Sequence, residues 1–212
     1  MLPMESETET TWSGKGAQTR RTILDAAIAR FGREGYRSTS VADIARDASV
    51  GGTIAYAYFP NKEALFLAAV DEDAAGVIQE GLAGSIFEAR VRDWRQTLIF
   101  ALVGALERHP LARRLLAGLE PEVTVRVLQI PALEELRKAA AERLRTEQLN
   151  GVIRSDIDPV VMANGVVAVV LSLLMSVVQL GDTATAMYGD DVAALFEAAI
   201  EWTPPPRPSR EG

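Results

Sequence analysis

The sequence predicts an all-α chain in which three short amino-terminal helices precede a larger helical body. Apolar residues recur at helical spacing through almost the whole length. No stretch alternates apolar and polar residues as a half-buried strand would. Residues 38–66, STSVADIARDASVGGTIAYAYFPNKEALF, carry the punctuation of two short helices crossed at a tight turn, followed at once by a third.

The elements follow in order. From Gln18 to Glu34 the residues Ile23, Leu24, Ala27, Ile28 and Phe31 share one helical face, and Gly35 is a natural stop. Ser40 caps the next helix, with Asp43 three residues on in the spacing of a capping box, and Val41, Ile44, Ala45 and Ala48 form its buried stripe. Ser49 to Gly52 is the break, and Gly51 and Gly52 are expected to supply the unusual torsions of the turn. A third helix runs to Tyr58 and ends at Pro60, and Asn61 caps a long fourth one that starts at Lys62. Further helices are expected over the amphipathic stretch ending at His109-Pro110, over Leu111–Leu119 and Pro121–Leu128, and from Pro131 to about Asn150 with Gly151 as stop. Val160 to Leu180 holds no charge and has the length of a bilayer span. Its Asn164, Ser172, Ser176 and Gln179, and the absence of a flanking basic cluster, favour instead a helix covered by its own domain on one side and by a partner chain on the other. A last helix, about Asp190 to Trp202, is expected to complete that seam, giving a homodimer through the last two helices.

Composition narrows the function classes. With no Cys, disulfides and thiolate metal sites are excluded and a reducing, cytoplasmic setting is expected. One His, no metal-spaced ligand cluster and no phosphate-cradling glycine loop leave no catalytic or metal-ligating set and imply no cofactor. The net charge is −7, yet residues 15–66 carry eight Lys/Arg against five Asp/Glu, whereas 67–212 carry fourteen against twenty-one. A mildly basic module on an acidic body suits a chain that touches DNA with one end. Residues 1–16 and 204–212 are expected as disordered tails, 17–62 as the DNA-binding module, and 63–203 as the effector-binding and dimerisation body.

A helix-turn-helix is a device of shape. Its crossing needs small residues (Ala42, Ala45, Ala48), and its angle needs an apolar plug, for which Val50 above Phe59 is the candidate. Phosphate contacts fall to helix starts and hydroxyls: Thr39 and Ser40, Asn61 and Lys62, and the phenols of Tyr56 and Tyr58. Gly52, at the head of the second helix, counts with this set. Trp94, Phe100, His109, Met162 and Met175 are the candidates for contact with a small-molecule effector.

The segment from about Thr19 to Phe66 resembles the amino-terminal domain of TetR-type transcriptional regulators. The likeness rests on RRTILDAAIARFGREGYRSTSVADIARDASV, with its Gly35-Tyr36 turn and its Asp43-Ile44-Ala45 and Ala48 core, and on TIAYAYFPNKEALF. It covers about a quarter of the chain. It implies a double-stranded palindromic operator, phosphate contacts by Thr39, Tyr56 and Lys62, and groove or rim positions for Thr53 and Tyr58. It also implies an all-helical carboxy-terminal domain that binds a small molecule and dimerises, with no membrane involved. Two departures matter: Gly51-Gly52 stand where the family often has Ser-Lys or Ser-Arg, and Ala57 where it often has His, Arg or an aromatic. The second helix is thereby poor in long polar side chains. Ile54 is left to meet a thymine methyl, and a modest base code is expected with more reliance on backbone and shape.

Overall fold

The computed structural model describes residues 6–85, 94–121, 129–181, 183, 188, 191–192, 194–196 and 198–199. Among these the elements are α-helices: α1 Ser6–Ser38, α2 Val41–Asp47, α3 Gly52–Tyr58, α4 Lys62–Ser85, α5 Trp94–Leu106, α6 Pro110–Leu116, α7 Pro131–Leu149 and α8 Pro159–Leu180. The helix expected near 121–128 lies largely outside the described residues. The described positions after residue 190 are all helical, and Phe196 there is buried.

The chain divides into two compact units, one formed by Met1–Gln79 with Gly104–Pro131 and the other by Glu80–Val103 with Ala132–Gly212. In the first unit, α1 packs on α2, α3 and α6. Ile23, Leu24, Phe31, Ile44, Leu65, Phe66, Leu111 and Leu115 are almost fully buried. Phe66 meets Phe31 edge-on at 4.9 Å and Tyr36 at the same distance, so the ends of α1 and the start of α4 share an aromatic cluster. The start of α6 is wedged close to its neighbours. A Cβ on Gly32 would lie 2.8 Å from Pro110 and 3.0 Å from the Leu111 backbone nitrogen, and one on Gly76 would strike the His109 ring. Gly32 thus offsets its poor helix propensity by admitting backbone.

α1 begins at Ser6, so residues 6–16, expected within a tail, are helical here. Its path breaks at Gly35, whose φ of 83° and ψ of 171° interrupt the helix as the glycine position suggested. α7 also ends as expected: Gly151 has φ 68°, and the Gly151 and Val152 amides donate to the Gln148 and Glu147 carbonyls.

In the second unit Leu133, Leu136, Ala140 and Leu144 of α7 and Ala163, Val166, Val170 and Leu173 of α8 are buried. Asp158 caps α8 by accepting from the Val160 and Val161 amides at 2.7 and 3.2 Å. α8 is long and apolar enough to cross a membrane, and about a third of it is buried in this chain. The uncovered side carries Val161, Asn164, Gly165, Ala168, Ser172 and Gln179.

Candidate nucleic-acid interface

α2 is held at both ends by local bonds. The Ser40 hydroxyl accepts from the Asp43 amide at 3.1 Å and donates to the Asp43 carboxylate at 2.6 Å, a closed capping pair. At the other end the Ser49 amide donates to the Arg46 carbonyl and the Val50 amide to the Ala45 carbonyl, at 3.0 and 2.9 Å. This pair of bonds forms a Schellman motif. It corrects the expected turn. Ser49, with φ 55°, takes the left-handed position, whereas Gly51 is extended (φ −69°, ψ 145°) and Gly52 is an ordinary first helical residue. Two further expectations change. Ala42 is exposed rather than at the helix crossing, because Val41, Ile44, Ala45 and Ala48 already fill the inner face of this short helix. Val50 is half-buried, and Phe59 is the plug.

α3 is anchored by Ala55 and Phe59, both buried and four residues apart. The Arg20 guanidinium covers Phe59 at 5.1 Å from its ring centre. The opposite side of α3 is bare. Gly52, Thr53 and Ala57 are exposed, Ile54 is 47% exposed and Tyr56 53%, and Tyr58 is half-buried. No residue of α3 is charged.

α1 and α2 are tied by Arg30. Its Nε donates to Asp47 at 2.6 Å, and its Nη1 lies 3.2 Å from Glu34 and 3.9 Å from Asp43. The Asp47 carboxyl is held below its usual range chiefly by the bond from Arg30, and Asp43 chiefly by the Ser40 hydroxyl and then by Arg46 and Arg30.

Asn61 caps α4 as expected, accepting from the Ala64 amide at 2.8 Å. Lys62 sits at the positive end of that helix. It is steadied by the Tyr36 ring, 4.4 Å from its Nζ, and by the Arg37 carbonyl at 3.5 Å. Thr39 is the departure in this set. It is buried and its hydroxyl donates to the Gly35 carbonyl at 2.8 Å, so its side chain builds the corner before α2 instead of standing free for a phosphate.

That corner has partners the sequence did not signal. Glu120 is buried, and its Oε1 accepts from the Tyr36 amide at 3.1 Å and from Arg114 Nε at 2.7 Å. A Cβ on Gly35 would lie 2.6 Å from the same oxygen and inside contact with Arg114. Eighty-four residues separate Tyr36 from Glu120, and no motif spans them.

The effector candidates are divided between the two units. His109 lies in the first unit; Phe100, Met162 and Met175 lie in the second. His109 is held by Asp73: its Nδ1 lies 2.8 Å from one carboxylate oxygen, while the other accepts from the Leu111 and Ala112 amides at the start of α6. That places it in the framework rather than on a pocket wall. Phe100 is 56% exposed, Met162 and Met175 are half-buried, and the Trp94 side chain lies outside the described residues. Neither of two polar clefts, about 190 Å³ beside Gly35 and about 240 Å³ between α7 and α8, is lined by any of the five.

Residues 23–69, spanning the second half of α1, all of α2 and α3, and the start of α4, match the model of bacterial regulatory proteins of the TetR family. Those residues carry the TetR-family amino-terminal segment. A helix-turn-helix-type transcriptional regulator of Bacillus subtilis, YuxN, is 40% identical over 50 residues, 24% of this chain and 17% of its own. The A-factor receptor protein of Streptomyces griseus is 33% identical over 155 residues, 73% of this chain and 53% of its own. This chain matches about half or less of the length of those two relatives. The solved complex of SmeT with triclosan has the same fold, with a TM-score of 0.63 at 24% identity over 92% of this chain and 98% of that one.

Proposed function

We propose that this chain is a sequence-specific DNA-binding transcriptional regulator, a homodimeric repressor that a small molecule releases from a palindromic operator. The observation that carries the reading is the bare side of α3. Thr53, Ile54 and Tyr56 stand outward from a seven-residue helix whose other side is pinned by Ala55 and Phe59. Such a helix enters a major groove, and the capped starts of α2 and α4 beside it offer amides, hydroxyls and Lys62 to phosphates. With no ionised group on α3, base reading rests on the Ile54 side chain and on hydroxyls, so DNA shape contributes much of the selectivity.

The uncovered side of α8 supports the dimer. Gly165, Ala168 and Ser172 are small and exposed, which lets a second copy approach closely. Residues 17–62 then form the reading head and 63–203 the body. Two heads meet half-sites about 34–36 Å apart or a multiple of it. The likeness to a receptor and to a triclosan-bound protein supports a small-molecule effector, with Trp94, Phe100, Met162 and Met175 as candidate contacts in the body. An effector acts by preferring the conformation in which the heads no longer match that spacing.

The test is selection of genomic fragments on the purified protein, followed by sequencing. Inverted repeats are expected. Tyr56→Phe weakens binding several-fold and leaves the dimer intact by sedimentation. A single-chain species with no preference for any inverted repeat would favour the second reading, a helical small-molecule binder that no longer reads DNA, to which the charge-free α3 lends weight.

A further inference from the structure

Lys62 carries its charge on a flexible stem, so the place where its Nζ stands depends on what it leans against. It leans against two neighbouring residues. The Tyr36 ring centre lies 4.4 Å from Nζ, and the Arg37 carbonyl accepts from it at 3.5 Å. Both residues belong to the stretch between the kink at Gly35 and the start of α2. Phe31 and Phe66 pack on the Tyr36 ring, with centroids 6.2 and 4.9 Å away. The backbone that carries the ring is held from elsewhere in the chain, since the Tyr36 amide donates to Glu120 Oε1 at 3.1 Å. Arg114 Nε donates to the same oxygen at 2.7 Å, and the two side chains are only 22% and 11% exposed. An ion pair so far out of water adds little stability over a well-packed apolar pair; what it can add is one fixed geometry.

We propose that Glu120 is a positioning residue for DNA binding: by anchoring the Tyr36 amide it fixes the ring and the carbonyl that aim the Lys62 ammonium at a phosphate. The inference deepens the DNA-binding reading and rests on it. The line of contacts runs from Glu120 through Tyr36 to Lys62 and involves no residue of α3. Glu120 acts without touching DNA, which its own negative charge would repel. An ammonium already held in place loses less freedom on meeting a phosphate oxygen than one that must first be ordered. Once the anchor is removed, the Tyr36 and Arg37 backbone is free to turn, and Lys62 loses both of its supports together.

The experiment joins a spectrum to a binding cycle, both on the intact protein. In a proton–carbon correlation spectrum of protein labelled with carbon-13 lysine, Lys62→Arg identifies the Lys62 ε-methylene signal. The ring beside it should displace that signal upfield of those from Lys15 and Lys138, which are exposed. Glu120→Ala should return it to the position of the exposed lysines. Glu120→Gln keeps an acceptor for the Tyr36 amide and should leave it near its wild-type place. Binding is then read by fluorescence anisotropy with a labelled mixed-sequence duplex of roughly thirty base pairs at low salt, where phosphate contacts dominate. Glu120→Ala should weaken binding about five-fold in the wild-type background and not at all in the Lys62→Ala background. A general loss of structure would weaken both alike. Thermal melts identify any variant whose fold has changed. Glu120→Asp, which keeps the charge for Arg114 but draws it back from the Tyr36 amide, should give the same pattern in smaller degree and keeps the test decisive in that event. Equal losses in the two backgrounds, or a Lys62 signal that neither Glu120→Ala nor Glu120→Asp moves, overturn the positioning role while wild-type DNA binding stands. No binding by the wild-type protein at low salt overturns the DNA-binding reading and this role with it.

Discussion

The corner at Gly35 and the corner between α2 and α3 stand at either end of the same short helix, and they are built in opposite ways. At Gly35 the backbone takes a conformation that suits glycine, and the space a side chain would need is filled by Arg114 of α6 and by Glu120 just beyond it. Between α2 and α3 the left-handed residue is a serine, held by two backbone bonds of its own. The two glycines that follow have ordinary torsions, and nothing lies within 4 Å of a Cβ on Gly52. A glycine therefore marks a backbone requirement where something is packed against it or where its torsions demand it, and adjacency to a turn is not enough.

The largest expected effect breaks the first corner. Gly35→Ala places a Cβ in a conformation reserved for glycine and against the ion pair, and should cost about 3 kcal/mol. Urea unfolding of the variant measures it; a loss below about 1 kcal/mol would mean that the corner relaxes without penalty. An intermediate effect comes with acid at the second corner. Asp43 and Asp47 have carboxyls held below their ordinary value by the Ser40 hydroxyl and by Arg30. Their contribution is full above the unfolded value, near 4, and is lost as pH falls through the lower folded value. Melting temperature should thus fall below about pH 4, and Asp47→Asn should flatten that fall; parallel pH curves for the two proteins would contradict the assignment. The smallest effects are gains. Ser49→Gly relieves the left-handed serine, and Gly52→Ala adds a better helix former in open space. Each should raise stability by about 0.5 kcal/mol in the same urea assay. A loss in Gly52→Ala would show that its open side is occupied in the folded protein.

The same contrast explains what was legible in the chain. The Ser40–Asp43 cap, the Asn61 cap and the stop at Gly151 are decided by neighbours three or four residues away, and the letters announce them. The outward set on α3 was legible because Ala55 and Phe59 leave one inner face for so short a helix. The break at Ser49–Gly52 was legible but its left-handed residue, Ser49, was not, since a Schellman motif is made by backbone and the nearby glycine pair offered a more obvious choice. Burial of Thr39 and the engagement of His109 depend on residues 4 and 36 positions away, brought close by a kink in one case and by tertiary packing in the other. The effector candidates were picked as large or soft side chains on apolar faces, a property that half-buried and exposed positions such as Met175 and Phe100 share with core ones.

The distance along the chain between Tyr36 and Glu120 bears on how the protein is born. A ribosome releases the helix-turn-helix long before it has made the carboxylate that seats the amide at its entrance. Until residue 120 emerges, the nascent module waits with that corner unfastened.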